Sequence, residues 1–189
     1  LAAFNRLTPA HARNLLRHAW MAAGFRAPAA RWIEEARKQL LTTESASETC
    51  VETPEGALHV YRGELHFVPQ RPPFLTGPVP WRGEDSLPWD GGTVRFERRL
   101  GVGVSPAWLA ADGVELRLRQ GGERFRTQAN RPRRSLRHVL QAAAIPPWER
   151  LRLPLCWAGG RLVWIGGLGV DADCACRPDE LGWLPVWQA

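Results

Sequence analysis

Eight arginines crowd into the stretch from 117 to 137: Arg117, Arg119, Arg124, Arg126, Arg131, Arg133, Arg134 and Arg137. A single acid, Glu123, stands against them. Eight positive charges and one negative leave a local net charge of +7. The whole 189-residue chain carries +6, so the rest of it is close to neutral. A guanidinium offers a planar fork of donors that fits phosphate and a flat face that stacks on bases. Codon bias would scatter arginines along the chain, where 24 of the 25 basic residues are Arg and only Lys38 is Lys. Their segregation points instead to an anionic partner, nucleic acid above all. The bland alternative is a solvated basic face.

The local pattern suggests how the block is displayed. Val114, Leu116 and Leu118 alternate with Glu115, Arg117 and Arg119, as on a half-buried strand, and Gln120-Gly121-Gly122 permits a reversal. Phe125 then faces inward between Arg124 and Arg126. The expectation is a hairpin with four guanidiniums on one face. Same-face neighbours there lie roughly 7 Å apart, near the spacing of successive phosphates. Arg131, Arg133 and Arg134 precede a helix cap at Ser135, and Arg137 falls in the first turn. Helix starts favour acids, so four arginines there are locally unfavourable unless an anion is bound.

Motifs for catalysis are missing from these residues. There is no Gly-Lys pair for a phosphate-binding loop, no G-x-S-x-G and no H-E-x-x-H. Gly101-Val102-Gly103 and Gly166-Gly167-Leu168-Gly169 lack the third glycine of a dinucleotide fingerprint and read as turns. His11, His18, His59, His66 and His138 do not cluster in sequence. Asp171, Asp173, Cys174 and Cys176 form the best metal candidate, but so close a mix of ligands suits a turn between two strands better. With Cys50 and Cys156, these cysteines read as reduced thiols, and no metal or cofactor is expected in this chain.

The elements that must position these residues read as α+β. Hydrophobic residues at 44% and charged at 23% fit a globular chain. No apolar run approaches the roughly 18 residues of a membrane span. Thr8 and Pro9 open a helix with Leu15, Leu16, Ala19, Trp20 and Ala23 as its apolar stripe, and Gly24 beyond its end. Arg13 and Arg17 flank that stripe. A second helix over 28–41 buries Trp32, Ile33, Ala36 and Leu40, with Arg31–Glu35 and Glu34–Lys38 as outer pairs. A hairpin over 57–61 and 64–68, turning at Arg62-Gly63, completes a small domain at 1–69. Six prolines between 69 and 88 predict a Pro-rich linker over 70–91, pinned by Trp81 and Trp89. The second domain, 92–189, is expected to have a β-sheet core and one main helix starting at Ser135. Its strands are expected near 93–97, 114–119, 123–127, 153–157 and 162–165. The chain lacks an initiator Met, Met21 being its only Met, and is expected to be an internal piece of a longer protein.

The run 131–170, RPRRSLRHVLQAAAIPPWERLRLPLCWAGGRLVWIGGLGV, resembles the carboxyl-terminal domain of the tRNA(Ile)-lysidine synthetases. The likeness rests on a basic segment, a short helix, and Ile145, Pro146, Pro147, Trp148, Arg150, Pro154 and Leu155, with Gly122 to Arg126 upstream. Asn5-Arg6-Leu7, Arg13, Leu16-Arg17, Trp20, Gln39-Leu40 and Tyr61-Arg62-Gly63 resemble the family's middle, substrate-recognition domain.

The resemblance implies a cytoplasmic ligase that uses ATP, with Mg, and lysine to convert the wobble cytidine of an isoleucine tRNA with a CAU anticodon to lysidine. It places that chemistry in an amino-terminal domain whose S-G-G-x-D-S motif does not occur in these residues. The fragment is therefore expected to bind tRNA and to be inactive alone, with no membrane partner. Its expected tRNA contacts are the eight clustered arginines with Arg150, Arg13 and Arg17. Two further readings are a free-standing RNA-binding module and an interaction scaffold using Trp81, Trp89 and Trp108.

Overall fold

The chain enters its first helix, α1 (Pro9–Ala22), at Thr8, whose hydroxyl accepts the His11 N–H at 3.4 Å. Pro9 loses nothing here, because the first-turn N–H groups have no helical partner. α1 buries Ala12, Leu16 and Trp20, one row spaced by four. This differs from the expected stripe, since Leu15 is 44% exposed. The row faces α2 (Ala30–Thr42), which buries Ile33, Ala36 and Leu40 as its spacing predicts. Glu34 pairs with Arg37, and with Arg13 across to α1 at 3.5 Å, in place of the expected Lys38. Both helices cover a three-stranded antiparallel sheet, β1 (Thr49–Glu52), β2 (Gly56–Tyr61) and β3 (Glu64–Pro69). Leu58 and Val60 of β2 point into the core, and Arg62-Gly63 make the tight turn at φ 53° and 78°.

The computed structural model describes residues 1–42, 49–72, 77–110 and 113–188. It divides the chain into Leu1–Pro73 and Phe74–Ala189. The stretch expected to be a linker up to 91 therefore belongs in large part to the second unit, although part of it, 73–76, lies outside the described residues. Pro80 and Pro88 sit in short strands, β4 (Val79–Pro80) and β5 (Ser86–Trp89), at edge positions where a missing N–H is tolerated. Trp81 stacks on Phe96 at 4.8 Å and Trp89 is 1% exposed, so both are packing residues.

The second unit continues with β6 (Gly92–Leu100), a helical turn α3 (Pro106–Leu109), β7 (Glu115–Arg117), β8 (Arg124–Phe125), β9 (Arg134–Ser135), α4 (Leu136–Ala142) and α5 (Pro147–Arg150). Then come β10 (Leu155–Ala158), β11 (Arg161–Ile165), β12 (Gly169–Val170) and β13 (Leu181–Gln188). Three sheets form, ordered β12-β11-β10-β7-β4, β13-β6-β5 and β8-β9. β13 is not among the strands expected from the sequence, because Gly182 and Pro185 interrupt its pattern. Its eight-residue pairing with β6 restores it. Gly103, at φ 110°, lets the chain cross β13 closely; a Cβ there would lie 2.4 Å from the Trp183 carbonyl oxygen.

The five-stranded sheet is buried on both faces. Leu116, Cys156, Ala158, Val163 and Trp164 pack with Val94 and Phe96 of the facing sheet. Leu155, Leu162 and Ile165 pack with Phe125 and with Leu136, Val139 and Leu140 of α4. This explains the near-continuous apolar run of β11, whose residues 162–165 are all buried. Register also shifts between Cys156 and Trp157, which leaves Val163 as a bulged residue with no direct partner on β10. Among the described residues no helix is long and apolar enough to cross a membrane.

In the first unit Trp20 joins the elements. It is 1% exposed, stacks on Phe25 at 4.2 Å and lies 4.6 Å from Trp32. Trp20→Ala is expected to destabilise that unit by about 3–5 kcal/mol, read as a lower urea midpoint.

Candidate nucleic-acid interface

The arginine block does not fold as one hairpin. β7 pairs with β10 and β4, whereas β8 pairs with β9. The reversal at Gln120-Gly121-Gly122 is real, but it carries the chain from one sheet to another. Glu123 drives that turn. It is 5% exposed and accepts the N–H groups of Gln120 and Gly121 at 2.5 and 2.7 Å. Burial pushes its carboxyl up, but those backbone donors outweigh it and hold the group below its usual value. Its own carbonyl accepts the Leu136 N–H at 2.8 Å, which ties the turn to the start of α4.

The registers Arg124↔Ser135 and Phe125↔Arg134 put the block on two sides of the β8-β9 ribbon, because direct partners share a face. On one side lies an acidic brace, formed by Asp171 and Asp173 in the expected turn between two strands. Asp171 is fully buried. It accepts the Arg126 N–H at 2.9 Å and the Arg133 guanidinium at 2.7 Å. Asp173 accepts Arg126 at 2.7 Å, Arg133 at 3.0 Å and Arg161 at 2.8 Å. The Asp171 N–H in turn donates to the carbonyl of bulged Val163 at 2.8 Å, so the sheet irregularity sets where the carboxylates stand. Cys174 closes the turn back to Asp171 at 2.8 Å. Burial pushes its thiol up to about 11, and that of Cys156 to about 12. Such thiols remain protonated at neutral pH.

Each expected contact residue can now be placed. Arg117 pairs with Glu115 at 3.3 Å and lies 3.8 Å over the Trp157 ring, and Arg119 faces Glu123 at 3.5 Å. Arg126 and Arg133 are held by the brace. Arg126 also donates to the Arg131 carbonyl at 2.8 Å and to that of Ala129. Arg150 is half-buried and donates to the Ile145 carbonyl at 2.7 Å, which fixes the corner before α5. Arg13 pairs with Glu34, and Arg17 is exposed on α1. Four of the block remain exposed with no carboxylate partner among the described residues: Arg124, Arg131, Arg134 and Arg137. Arg124 has only a 3.0 Å bond to the Arg133 carbonyl. Within the segment expected from the sequence, the structure separates cations held by carboxylates from cations that are exposed and have no such partner. Arg161 was missed, because its link to Asp173 joins residues twelve apart and no local pattern shows which cation the turn's carboxylates reach.

Hydrogen bonds from Arg133 first, then Arg126, hold the Asp173 carboxyl below the usual aspartate range. A carboxyl with a depressed folded value stabilises the fold above its unfolded value of about 3.9, and that contribution is lost as pH falls through the folded value. Unfolding midpoints measured from pH 7 down to pH 2 should therefore fall more steeply for the native chain than for Asp173→Asn, which is already weaker at pH 7.

Residues 1–66 match the family described as "TilS substrate binding domain", and residues 114–187 match "TilS substrate C-terminal domain". A tRNA(Ile)-lysidine synthase of Nitrosomonas europaea is 36% identical over 192 residues, covering 99% of this chain and 42% of the relative. That of Aromatoleum aromaticum is 39% identical over 183 residues, covering 96% and 43%. The chain thus spans about two fifths of the length of the curated relatives it matches. A solved structure, "Crystal structure of TILS C-terminal domain", is 26% identical with a TM-score of 0.45, covering 59% of this chain and 92% of that one. With both domain types matched in order and near-complete cover by these relatives, the chain belongs to the tRNA(Ile)-lysidine synthase family and carries its substrate-binding and C-terminal regions.

Proposed function

We propose that this chain holds tRNA for an enzyme that converts the wobble cytidine of an isoleucine tRNA with a CAU anticodon to lysidine. ATP, with Mg, and lysine would be substrates of the catalytic domain of the whole protein, working in the cytoplasm. The carrying observation is the set of exposed, carboxylate-free guanidiniums of Arg124, Arg131, Arg134 and Arg137 around the β8-β9 ribbon and α4. An exposed arginine already paired to an acid gains little from a phosphate, since the existing pair must first be given up. An unpartnered one gains a charge-assisted, two-pronged contact. Contacts of this kind fix register on the RNA backbone without reading bases. The second unit would thus grip the body of the tRNA. The first, with exposed Arg17, would help to place the region carrying the target base. Positioning of this sort matters because a small misplacement of a reacting group costs rate steeply.

Replacing Arg124, Arg131, Arg134 and Arg137 by Ala is expected to weaken tRNA binding and to shallow its salt dependence. Each lost phosphate contact should reduce the log–log slope by about 0.7–0.9, measured by filter binding from 50 to 200 mM salt. Replacing Arg117 and Arg119, both paired, should leave the slope near that of the native chain. Equal slopes for all three proteins would remove the ribbon from the contact surface. Incubated with ATP, Mg, lysine and tRNA, the 189-residue chain should form no lysidine by mass spectrometry of digested tRNA. Product would overturn the assignment of catalysis to another domain.

A further inference from the structure

The side of the ribbon away from the acidic brace carries a cleft unlike a phosphate track. Its volume is about 360 Å³. Arg131 and Arg134 stand at it with Thr127 and Gln128, while half-buried Leu168 supplies apolar surface and buried Phe125 borders the recess. Val139 and Ala142 of α4, with Ala143 just beyond it, form another wall. Phe125 is only 1% exposed, whereas both arginines are exposed. No carboxylate lines the cleft, and neither guanidinium has a hydrogen bond or ion pair among the described residues.

A duplex backbone would use the two cations and leave the apolar recess behind them empty. A volume near the lower end of the roughly 300–1,000 Å³ typical of small-ligand sites admits one planar group, not a helix. RNA offers such groups where bases are unpaired and splay out, to be packed against apolar or aromatic surface and hydrogen-bonded at their edges. Thr127 and Gln128 supply the hydroxyl and amide for an edge, and the two arginines supply the charge for the attached phosphates. The loop that carries these residues is already ordered. The Arg131 N–H closes a turn onto the Gln128 carbonyl at 3.0 Å, and Arg126 clips the loop from beneath through the Ala129 and Arg131 carbonyls while anchored to Asp173. A ligand entering here would not have to organise the site, which lowers the cost of binding.

We infer that this cleft takes one unpaired nucleotide of the bound RNA, its base in the recess beside Phe125 and its phosphates on Arg131 and Arg134. This rests on the RNA-binding reading above and adds a site for single-stranded nucleotide to what was a backbone grip.

The test uses the full chain with two RNA probes, a twelve-base-pair duplex with a four-nucleotide 3′ overhang and the same duplex with blunt ends. The native chain should bind the overhang form about tenfold more tightly. Ala142→Trp and Thr127→Trp, both at exposed positions, fill the cleft from different walls without changing charge. Each should cut the preference below twofold and leave binding of the blunt duplex, with its salt slope, near that of the native chain. Circular dichroism confirms that each variant is folded, and two variants guard against the failure of one. If both folded variants keep the full preference, or the native chain shows none, the nucleotide site is overturned while the backbone grip stands. If neither probe nor tRNA binds the native chain with steep salt dependence, the RNA-binding reading itself fails, and the cleft with it.

Discussion

The second unit turns on two carboxylates beside three guanidiniums. Asp171 is fully buried and shares Arg133 with Asp173, which also receives Arg126 and Arg161. Taking a carboxylate out of water is costly unless it is fully hydrogen-bonded, and removing one partner of such a pair costs roughly 3–5 kcal/mol. The exposed Arg26–Glu55 pair, whose arginine side chain is 92% accessible, belongs to the class worth about 0–1 kcal/mol. The brace is therefore the ion-pair network that decides local structure. It joins strand β11, the turn after β12 and the ribbon that precedes α4.

Its placement follows from packing. A sheet buried on both faces needs apolar residues in succession, and the bulge at Val163 lets β11 keep them while its carbonyl holds the Asp171 N–H. α4 covers one face and brings Arg137 to the surface beside the ribbon, and Phe125 fills the junction. Core, brace and surface cations thus form a chain of causes. Apolar burial sets the sheet, the sheet sets the carboxylates, and these absorb the arginines that would otherwise repel their neighbours. Arg131 and Arg134 are left exposed beside an apolar cleft.

This division of labour lowers the mutual repulsion within so basic a segment. Half of the eight arginines are neutralised within the fold by Glu115, Glu123, Asp171 and Asp173. Their role is to order the loop that presents the others. Such a loop holds its guanidiniums in place, whereas a disordered basic tail would have to be organised on binding.

Much of this was legible in the residues. The 3.6-residue spacing and the Thr8 cap specify the two helices of the first unit, and Arg62-Gly63 specifies its hairpin, because these signals are local. The run through Ile145-Pro146-Pro147-Trp148 pointed to the family, and the charge block at 117–137 stood out in the residues alone. Long-range contacts decided the rest. Whether Arg126 meets a phosphate or Asp173 depends on a residue 47 positions away. Whether the prolines of 78–88 form a strap or edge strands depends on β6 and β7. The pairing of β8 with β9 in place of β7 was decided by burial of Phe125 against α4. A sequence pattern records which side chains seek water and which avoid it; only the packed chain determines which cation each carboxylate reaches.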